Sequence, residues 1–461
     1  LPKVDVSTGK VTGSTCSSPS YKFMYPHPRC AAAIRFEMPE NTGDIRGSLD
    51  LLHAVATIDH GESTAIRILA DRNVVLIHSA ERISLEVIKA ETIPLAETGN
   101  RGDIEWLYQK LPGDENGDWG GMEYALAIAA NGKLKAVSLV TSYDVEDQNV
   151  LDRAINLARN TLGQRESKLV KIHEDAWEQF WVRSGVRLED SDLQNWWYRM
   201  LYFAKTVCKP GAAPVALMPP LATDATPWHA DYHYNYNAWQ AFWPLPAANH
   251  SELTEPWISY INDMYPRFKW LARETYDIDG VFFPISSFLH EPDPALCKSN
   301  NYRQVSLNPW GLTIGMIGMT IQSMWQKHLC DPDREYMETW IYPVMRDGAK
   351  FYATFMERCK KDDNGRILLG PSYSPEHGPM GIANCPYDIA YVHYTFDAFI
   401  QAAGELNTDN ELAEKCRRYK SLLGEYPTAL DSTGTPVVVD WKGCKYKEIP
   451  RHNIEVPSTP V

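Results

Sequence analysis

The chain has 461 residues, of which 44% are hydrophobic and 23% are charged, as in ordinary globular proteins. This length exceeds one hydrophobic core, which predicts more than one domain. The formal net charge of −14 argues against a nucleic-acid partner, because binding phosphate requires a basic surface. No apolar run approaches the roughly 18 to 20 residues of a membrane span, so no membrane partner is expected.

The nine cysteines are scattered along the chain and form no CxxC pair or Cys/His cluster. We therefore expect no zinc or other metal site. Most of these cysteines are predicted to be buried free thiols, with room for one or two disulfides.

Residues 1–143 are predicted to form an antiparallel β-sandwich. Short runs rich in β-branched residues, such as 48–58 and 73–80, are bounded by Gly, Asp and Asn turn signals. Residues 124–142 are typical of a hairpin with Asn131-Gly132 at its turn. The histidines of this region are isolated, so we place no site here.

Residues 144–184 are predicted to form a helical linker. The apolar spacing changes from two residues to three or four after Asp144, which is placed to cap a first helix. A second helix is predicted over 166–181.

Residues 185–461 are predicted to be mainly helical. Asp190 and Ser191 can cap a helix that ends at Lys209-Pro210-Gly211. Later apolar periodicity fits helices over 251–276, 309–328, 333–359, 386–406 and 409–424. Two long connections, 277–308 and 360–385, separate some of these helices, and long connections in compact domains are more often functional than idle.

The stretch from Trp228 to Trp257 places polar side chains among aromatic ones. It reads WHADYHYNYNAWQAFWPLPAANHSELTEPW, with His233, Asn235 and Asn237 at every second position. Sugars present hydroxyls for hydrogen bonding and C–H faces for stacking on rings, so this pattern suits a sugar site. An aromatic-rich core with paired polar groups would produce the same pattern.

A second motif, LGPSYSPEHGPMG, spans residues 369–381. Its prolines and glycines restrict its shape, and Glu376 lies between Pro375 and His377. Walls formed by Tyr373 and proline would favour a protonated carboxyl that acts as a general acid. A solvated loop glutamate is the alternative interpretation.

Taken together, these motifs resemble the signature of glycoside hydrolase family 95, which contains α-L-fucosidases and α-L-galactosidases. The matching residues are His233-x-Asn235-x-Asn237, Phe242-Trp243-Pro244, Asn249-x-Ser251-Glu252-Leu253-x-Glu255-Pro256, Pro371-Ser372-x-Ser374-Pro375-Glu376 and Arg451-His452. The resemblance covers roughly residues 170–461 well and the sheet region loosely. It implies a multidomain α+β protein with an N-terminal β-sandwich, a helical linker and an (α/α)6 barrel over 185–461.

The resemblance implies an exo-acting inverting α-glycosidase. Its substrate would be an oligosaccharide or polysaccharide with a terminal L-fucose or L-galactose-like residue. Glu376 would protonate the glycosidic oxygen. Asn235 and Asn237 would hold the attacking water, helped by an aspartate from later in the barrel, because an amide alone is a poor base. No cofactor is implied, and analogy with the family places the protein outside the cell or in the periplasm.

The resemblance also implies a set of substrate-binding residues. His233, Arg451 and His452 would bind sugar hydroxyls, while Trp239 and Tyr373 would line the same pocket. Trp239 and Ala241 stand where the family usually has Gln and Asn. This difference leaves the identity of the sugar open.

The partner aspartate of the family lies in an Asp-Gly-Asn-Phe-Gly segment, which is not found before Val461. The chain also shows only about half of the helices that an (α/α)6 barrel needs. A half-closed barrel would expose large apolar faces, so we expect the chain to be a fragment or to pair with a second chain. Asp224 and Asp231 are candidates for the missing base, although Asp231 is equally placed to be a structural partner of His233.

Two other classes of function remain open. A carbohydrate-binding or scaffold homologue would keep the fold without turnover, and the missing aspartate favours this alternative. Another (α/α)6 enzyme, such as a disaccharide phosphorylase, would need a phosphate site, and no clustered Lys/Arg loop lies near the motifs.

Overall fold

The computed structural model describes residues 2–13, 30–38, 44–89, 93–114, 118–145, 149–217, 230–291, 293–298, 312–374 and 378–445. The chain forms two compact units. The sheet unit comprises Arg29–Phe203 and Pro219–Thr226, and the helical unit comprises Leu1–Pro28, Ala204–Met218 and Pro227–Val461.

The strands are short apart from three in the main sheet. They are β1 Lys3–Asp5, β2 Lys10–Thr12, β3 Ala33–Phe36, β4 Arg46–Asp50, β5 Val55–Asp59, β6 Ser63–Ile68, β7 Val74–His78, β8 Ile83–Glu86, β9 Glu97–Arg101, β10 Ile104–Leu111, β11 Met122–Asn131, β12 Leu134–Thr141, β13 Tyr232–His233, β14 Ser286–Ser287, β15 Thr428–Leu430 and β16 Pro436–Val438.

The helices begin after the main sheet is complete. They are α1 Val150–Leu162, α2 Glu166–Trp181, α3 Ser191–Val207, α4 Asn237–Gln240, α5 Pro244–Ala247, α6 Glu255–Asp263, α7 Tyr265–Tyr276, α8 Met316–Cys330, α9 Arg334–Tyr336, α10 Tyr342–Arg358, α11 Pro386–Leu406 and α12 Asn410–Leu422. A 3-10 helix spans Ser251–Thr254, and a π-helical turn spans Met337–Ile341.

The main sheet is antiparallel and has eight strands in the order β4-β5-β6-β7-β12-β11-β10-β9. Strand β11 is buried on both faces. Its small residues Ala125, Ala127 and Ala129 pack with α1, while Leu126 and Ile128 pack with the separate β3–β8 ribbon. The predicted antiparallel sheet is therefore confirmed. Among the described residues, its second layer is this two-stranded ribbon, and a helix covers the other face.

The predicted hairpin over 124–142 is confirmed, but its turn lies one residue later than expected. Asn131 pairs with Leu134, which leaves Gly132 and Lys133 as the two loop residues. Gly132 has a φ of 60°. A two-residue hairpin favours glycine at its first central position, because that position requires a positive φ in a type II′ turn.

Helices α1 and α2 belong to the sheet unit. Asn149 caps α1 by accepting the Asp152 amide, so the predicted cap at Asp144 is wrong. Asp144 instead accepts the backbone amide and hydroxyl of Thr141, at 2.7 and 2.8 Å. The predicted helix over 166–181 is confirmed. The boundaries 1–143, 144–184 and 185–461 stay predictions.

The core of the helical unit includes α8, α10, α11 and α12. A Cβ atom at Gly318 of α8 would lie 2.8 Å from the Thr395 hydroxyl of α11. The absence of that carbon lets the two helices approach closely. The predicted helix over 386–406 is confirmed, whereas α8 begins at Met316, later than predicted. A closed (α/α)6 barrel stays a prediction.

Helix α3 carries a stripe of exposed apolar side chains. Asp190 accepts the amides of Asp192 and Leu193, which confirms the predicted cap, and Leu201 is the one fully buried residue of this helix. The stripe is formed by Leu193, Trp196, Met200, Phe203 and Val207, which are 45% to 60% exposed. Their spacing of three and four residues defines one helical face, which ordinarily packs in a core.

Of the helices that the structure describes, none is both long and apolar enough to cross a bilayer. The eight cysteines in the described ranges are free thiols. Cys16 lies outside those ranges.

Candidate active site

The first predicted part of the site is the motif segment, defined here as residues 230–257. Its strand β13 pairs with β14, so that His233 lies opposite Ser286. Strand β14 belongs to the first half of the long connection 277–308, and residues 281–288 of that half are buried. This connection is therefore packed against the motif segment, while residues 299–311 lie outside the described ranges.

His233 is held by a neighbouring carboxylate. Its Nδ1 lies 2.7 Å from Oδ1 of Asp231, and the two side chains are 16% and 6% exposed. A contact at Nδ1 fixes the orientation of the ring. This geometry supports Asp231 as a structural partner of His233. Asp224, the other suggested base, lies outside the described residues.

Asn235 and Asn237 occupy different surroundings. Asn235 is only 1% exposed, whereas Asn237 is exposed at the first position of α4. The alternate spacing of His233, Asn235 and Asn237 would place them on one face of a strand. Strand β13 ends at His233, however, and a turn leads into α4. The water-holding pair stays a prediction.

Trp239 is fully buried. Its ring centroid lies 5.7 Å from that of Tyr236 and 4.7 Å from that of Trp243, both in edge-to-face geometry. Trp243 is 37% exposed and offers the more accessible ring for stacking. The role of Trp239 in substrate binding stays a prediction.

The second predicted part of the site is the loop over 369–381. Its base, defined here as residues 369–374 and 381–384, is described, but Glu376 lies outside the described residues. The Ser372 amide donates to the Ile382 carbonyl at 3.0 Å. Tyr373 is 7% exposed, and its carbonyl accepts the Thr313 hydroxyl at 2.7 Å. Arg451 and His452 also lie outside the described residues.

Helix α7 supports both parts. Near its start, the Phe268 ring lies 5.6 Å from that of Tyr234 in the motif segment. At its end, the Tyr276 hydroxyl donates to the Leu312 carbonyl at 3.2 Å, next to the Thr313 that binds the loop base. The eight residues between these contacts rise by about 12 Å along a helix. The two predicted parts thus share one support within the helical unit.

A buried ion pair ties α7 to the residues after β14. Arg267 and Glu291 are 1% and 4% exposed in their side chains, and Glu291 also accepts the Phe288 amide at 2.7 Å. Burial raises the pKa of Glu291, while Arg267 opposes that rise. The sequence analysis missed this pair, although Glu291 follows a run of apolar residues that signals burial.

The sequence analysis also missed Asp388, a fully buried residue in the first turn of α11. It accepts the Gly315 amide at 2.8 Å. Burial raises its pKa to about 7, although a hydrogen bond from Ser372 opposes that rise. An acid in the first turn commonly interacts with the helix dipole, so its position alone did not indicate a site.

Within the described ranges, no three His, Cys, Asp or Glu side chains are grouped so that they could hold a metal ion.

The raised pKa of Asp388 predicts a pH-dependent stability. The protonated form is favoured in the folded state, so this stabilisation is complete below the ordinary pKa of 3.8 and is lost as the pH rises to about 7. Because of Asp388, the free energy of unfolding of the wild type should therefore fall by roughly 3 kcal/mol from pH 5 to pH 8, at about 1.4 kcal/mol per pKa unit. In Asp388→Asn, the free energy of unfolding measured by urea denaturation at these two pH values should not show this fall.

The matched control for this prediction is Asp347→Asn. Asp347 is also buried, but Lys269 lies 2.9 Å from its carboxylate as a charge partner. This variant should keep the wild-type fall between pH 5 and pH 8. An equal fall in Asp388→Asn would contradict a titrating Asp388.

Comparison with known proteins gives the site a context. The family model of the glycosyl hydrolase family 95 catalytic domain matches residues 189–452, more than half of the chain. The "Probable alpha-fucosidase A" of Aspergillus niger is 22% identical over an alignment of 280 residues, which covers 54% of this chain and 33% of that protein. The chain therefore spans about a third of the length of this curated relative.

A solved structure named "Putative kojibiose phosphorylase from human microbiome" has a similar fold. It aligns with a TM-score of 0.57 and 13% sequence identity, over 87% of this chain and 58% of the other. At this identity the likeness concerns the fold alone. The family match includes the motif segment, the loop over 369–381 and Arg451-His452, and on this ground the chain belongs to glycosyl hydrolase family 95.

Proposed function

We propose that this chain carries the acid and sugar-binding residues of an exo-acting inverting α-glycosidase. Its substrate would be a glycan that ends in an L-fucose or L-galactose-like residue. The family match over 189–452 carries this proposal, because it spans every predicted site residue. The name of the Aspergillus relative supports the fucosidase class. A secreted or periplasmic location is proposed by analogy with the family.

In this mechanism Glu376 donates a proton to the glycosidic oxygen as the bond to the sugar breaks. A water molecule held by Asn235 and Asn237 attacks the opposite face of the sugar ring. Inversion requires about 6.5 to 9.5 Å between the acid and the group that activates the water. The common support of both parts by α7 is consistent with a shared pocket.

The water still needs a carboxylate to take its proton. Two buried acids close to the motif segment are already engaged, because Asp231 contacts His233 and Glu291 contacts Arg267. We therefore assign the base to the aspartate of the Asp-Gly-Asn-Phe-Gly segment that the family resemblance implies.

The apolar stripe of α3 supports a partner for this chain. Five large apolar side chains on one helical face exceed the scattered exposure of ordinary surfaces. We propose that a second copy of this chain covers this stripe with the same apolar helix face.

Turnover should depend on Glu376 once the base aspartate is supplied. Glu376→Gln should lower kcat on an aryl α-L-fucoside or α-L-galactoside by about 100-fold to 10,000-fold, because the amide cannot donate the proton. Proton NMR of the early product should show the β-anomer of the released sugar. The release should not require added inorganic phosphate, in contrast to a phosphorylase.

The control for this variant is Glu425→Gln, which changes an exposed glutamate in the same unit. It should keep wild-type turnover. Binding of the free sugar without any turnover, in a sample that also contains the base aspartate, would instead favour the carbohydrate-binding homologue. Equal rates in wild type and Glu376→Gln would exclude Glu376 as the acid.

Replacing Asp231 should weaken substrate binding more than it slows the chemical step. In Asp231→Asn the amide no longer holds the His233 ring as a charged acceptor, so KM should rise about 10-fold with a smaller change in kcat. Steady-state kinetics on the same glycosides measure both constants. Asp277→Asn is the control, because the Asp277 side chain is 96% exposed. A large loss of kcat at unchanged KM would instead identify Asp231 as the base.

If a second copy covers the stripe of α3, the chain should self-associate. Light scattering of the wild type should give a mass above the 52.3 kDa of one chain. Trp196→Ser should return the mass toward one chain, whereas Ile68→Ser should not. Ile68 is the matched control, because it is exposed to 67% but lies on strand β6. A wild type that stays at the mass of one chain would contradict self-association through this face.

A further inference from the structure

The ion pair between Arg267 and Glu291 lies beside the strand pair that carries His233. Both side chains of the ion pair are almost completely buried. Arg267 belongs to α7, and Glu291 follows β14 closely in the chain. Because the loss of hydration offsets most of the attraction in a buried ion pair, stability alone does not explain this one. Its position next to β14 points to a further role.

The ion pair fixes the backbone directly after β14. Glu291 accepts the Phe288 amide at 2.7 Å, and Tyr260 of α6 donates its hydroxyl to the Phe288 carbonyl at 3.0 Å. Both backbone polar groups of Phe288 are therefore bound by buried side chains. Since Arg267 holds Glu291 from α7, the residue that follows β14 is tied to two helices, α6 and α7.

Three buried hydroxyls join β14 to the motif segment. Ser287 of β14 donates to the Tyr234 hydroxyl at 2.9 Å, and Tyr234 donates to the Tyr260 hydroxyl at 3.1 Å. The Tyr260 and Ser287 hydroxyls lie 2.6 Å apart. All three side chains are buried. Hydrogen bonds in a buried network strengthen one another, so this group holds β14 firmly against the motif segment.

The position of His233 depends on the same strand pair. His233 lies opposite Ser286 of β14, and the next residue, Tyr234, donates its amide to the Ile285 carbonyl at 2.8 Å. The His233 ring contacts Asp231, which directly precedes β13. A displacement of β14 would therefore move His233 and Asp231 together. The ladder between β13 and β14 is very short, so it needs support from the surrounding helices.

We propose that Arg267 and Glu291 are positioning residues for sugar binding, because they hold β14 and thereby the strand that carries His233. This inference rests on the proposed role of His233 as a sugar ligand. The ion pair acts through the backbone of β14 and β13 and does not touch the sugar. Without the ion pair the His233 ring can shift, and a shift on the order of 1 Å is enough to weaken a hydrogen bond to the sugar.

The first test measures the binding of L-fucose and of L-galactose by NMR titration. Glu291→Ala should raise Kd about 10-fold, which corresponds to the loss of about one hydrogen bond to the sugar. Glu291→Gln should stay within about 3-fold of the wild type, because its amide oxygen can still accept from Phe288 and Arg267. Tyr260→Phe also removes a contact to Phe288. It should raise Kd as well, and it serves if Glu291→Ala folds poorly.

A double-mutant cycle shows whether the ion pair acts through His233. His233→Ala alone should raise Kd about 10-fold or more. Adding Glu291→Ala should raise it little further, because the contact that Glu291 positions is already lost. Asp347→Ala is the matched control, since it removes another buried carboxylate that pairs with α7, through Lys269 at 2.9 Å. It should keep the wild-type Kd. Losses that multiply in the double variant, or an equal loss in Asp347→Ala, would overturn the inference.

The second test needs no sugar. Hydrogen–deuterium exchange should show the Tyr234 amide exchanging about 10-fold faster in Glu291→Ala than in the wild type, because the β13–β14 pair opens more often. Asp347→Ala should leave this rate unchanged, and no increase at Tyr234 in Glu291→Ala would overturn the inference. If the wild type binds neither sugar, the proposed sugar site fails and the positioning role fails with it. If the wild type binds one of them and Glu291→Ala binds it equally well, only the inference about the ion pair fails.

Discussion

The four residues 312–315 are the constraint on which the predicted site depends. They carry no side chain of obvious catalytic type, yet Tyr276, Tyr352 and Asp388 bind them from three helices. They bind the loop base in turn, through the Thr313 hydroxyl. Because α7 also packs against the motif segment through Phe268, both predicted parts of the site rest on one framework. Hydrogen bonds to backbone atoms suit this role, since they fix position independently of side-chain type.

Three buried carboxylates near this framework are stabilised in different ways. Asp231 contacts His233, and Glu291 contacts Arg267. Asp388 relies on an amide and a hydroxyl, and burial raises its pKa to about 7. An ion pair compensates the loss of hydration by opposite charge, whereas neutral donors do so only in part. Among these three acids, Asp388 is thus the one whose described contacts include no opposite charge.

The sequence predicted most of the secondary structure where periodicity was strong. Helices α2 and α11 begin and end where the apolar spacing indicated, and the β11–β12 hairpin formed with its turn shifted by one residue. Local sequence signals gave wrong predictions where tertiary contacts determined the structure. Asp144 resembles a helix cap in sequence, but it binds Thr141, and Asn149 caps α1. Likewise, the two-residue spacing of His233, Asn235 and Asn237 does not place them on one strand, because β13 ends at His233.

By itself, the sequence determined the family, because the motif residues and their order along the chain are sufficient for that match. It also determined the succession of an antiparallel sheet and a helical region through the change in apolar period. Only the tertiary structure decided that Asp231 holds His233, that Trp239 is enclosed by Tyr236 and Trp243, and that Asp388 binds Gly315. The roles of these residues depend on how deeply each side chain is buried and on which way it points. The local spacing of residues in the sequence encodes neither.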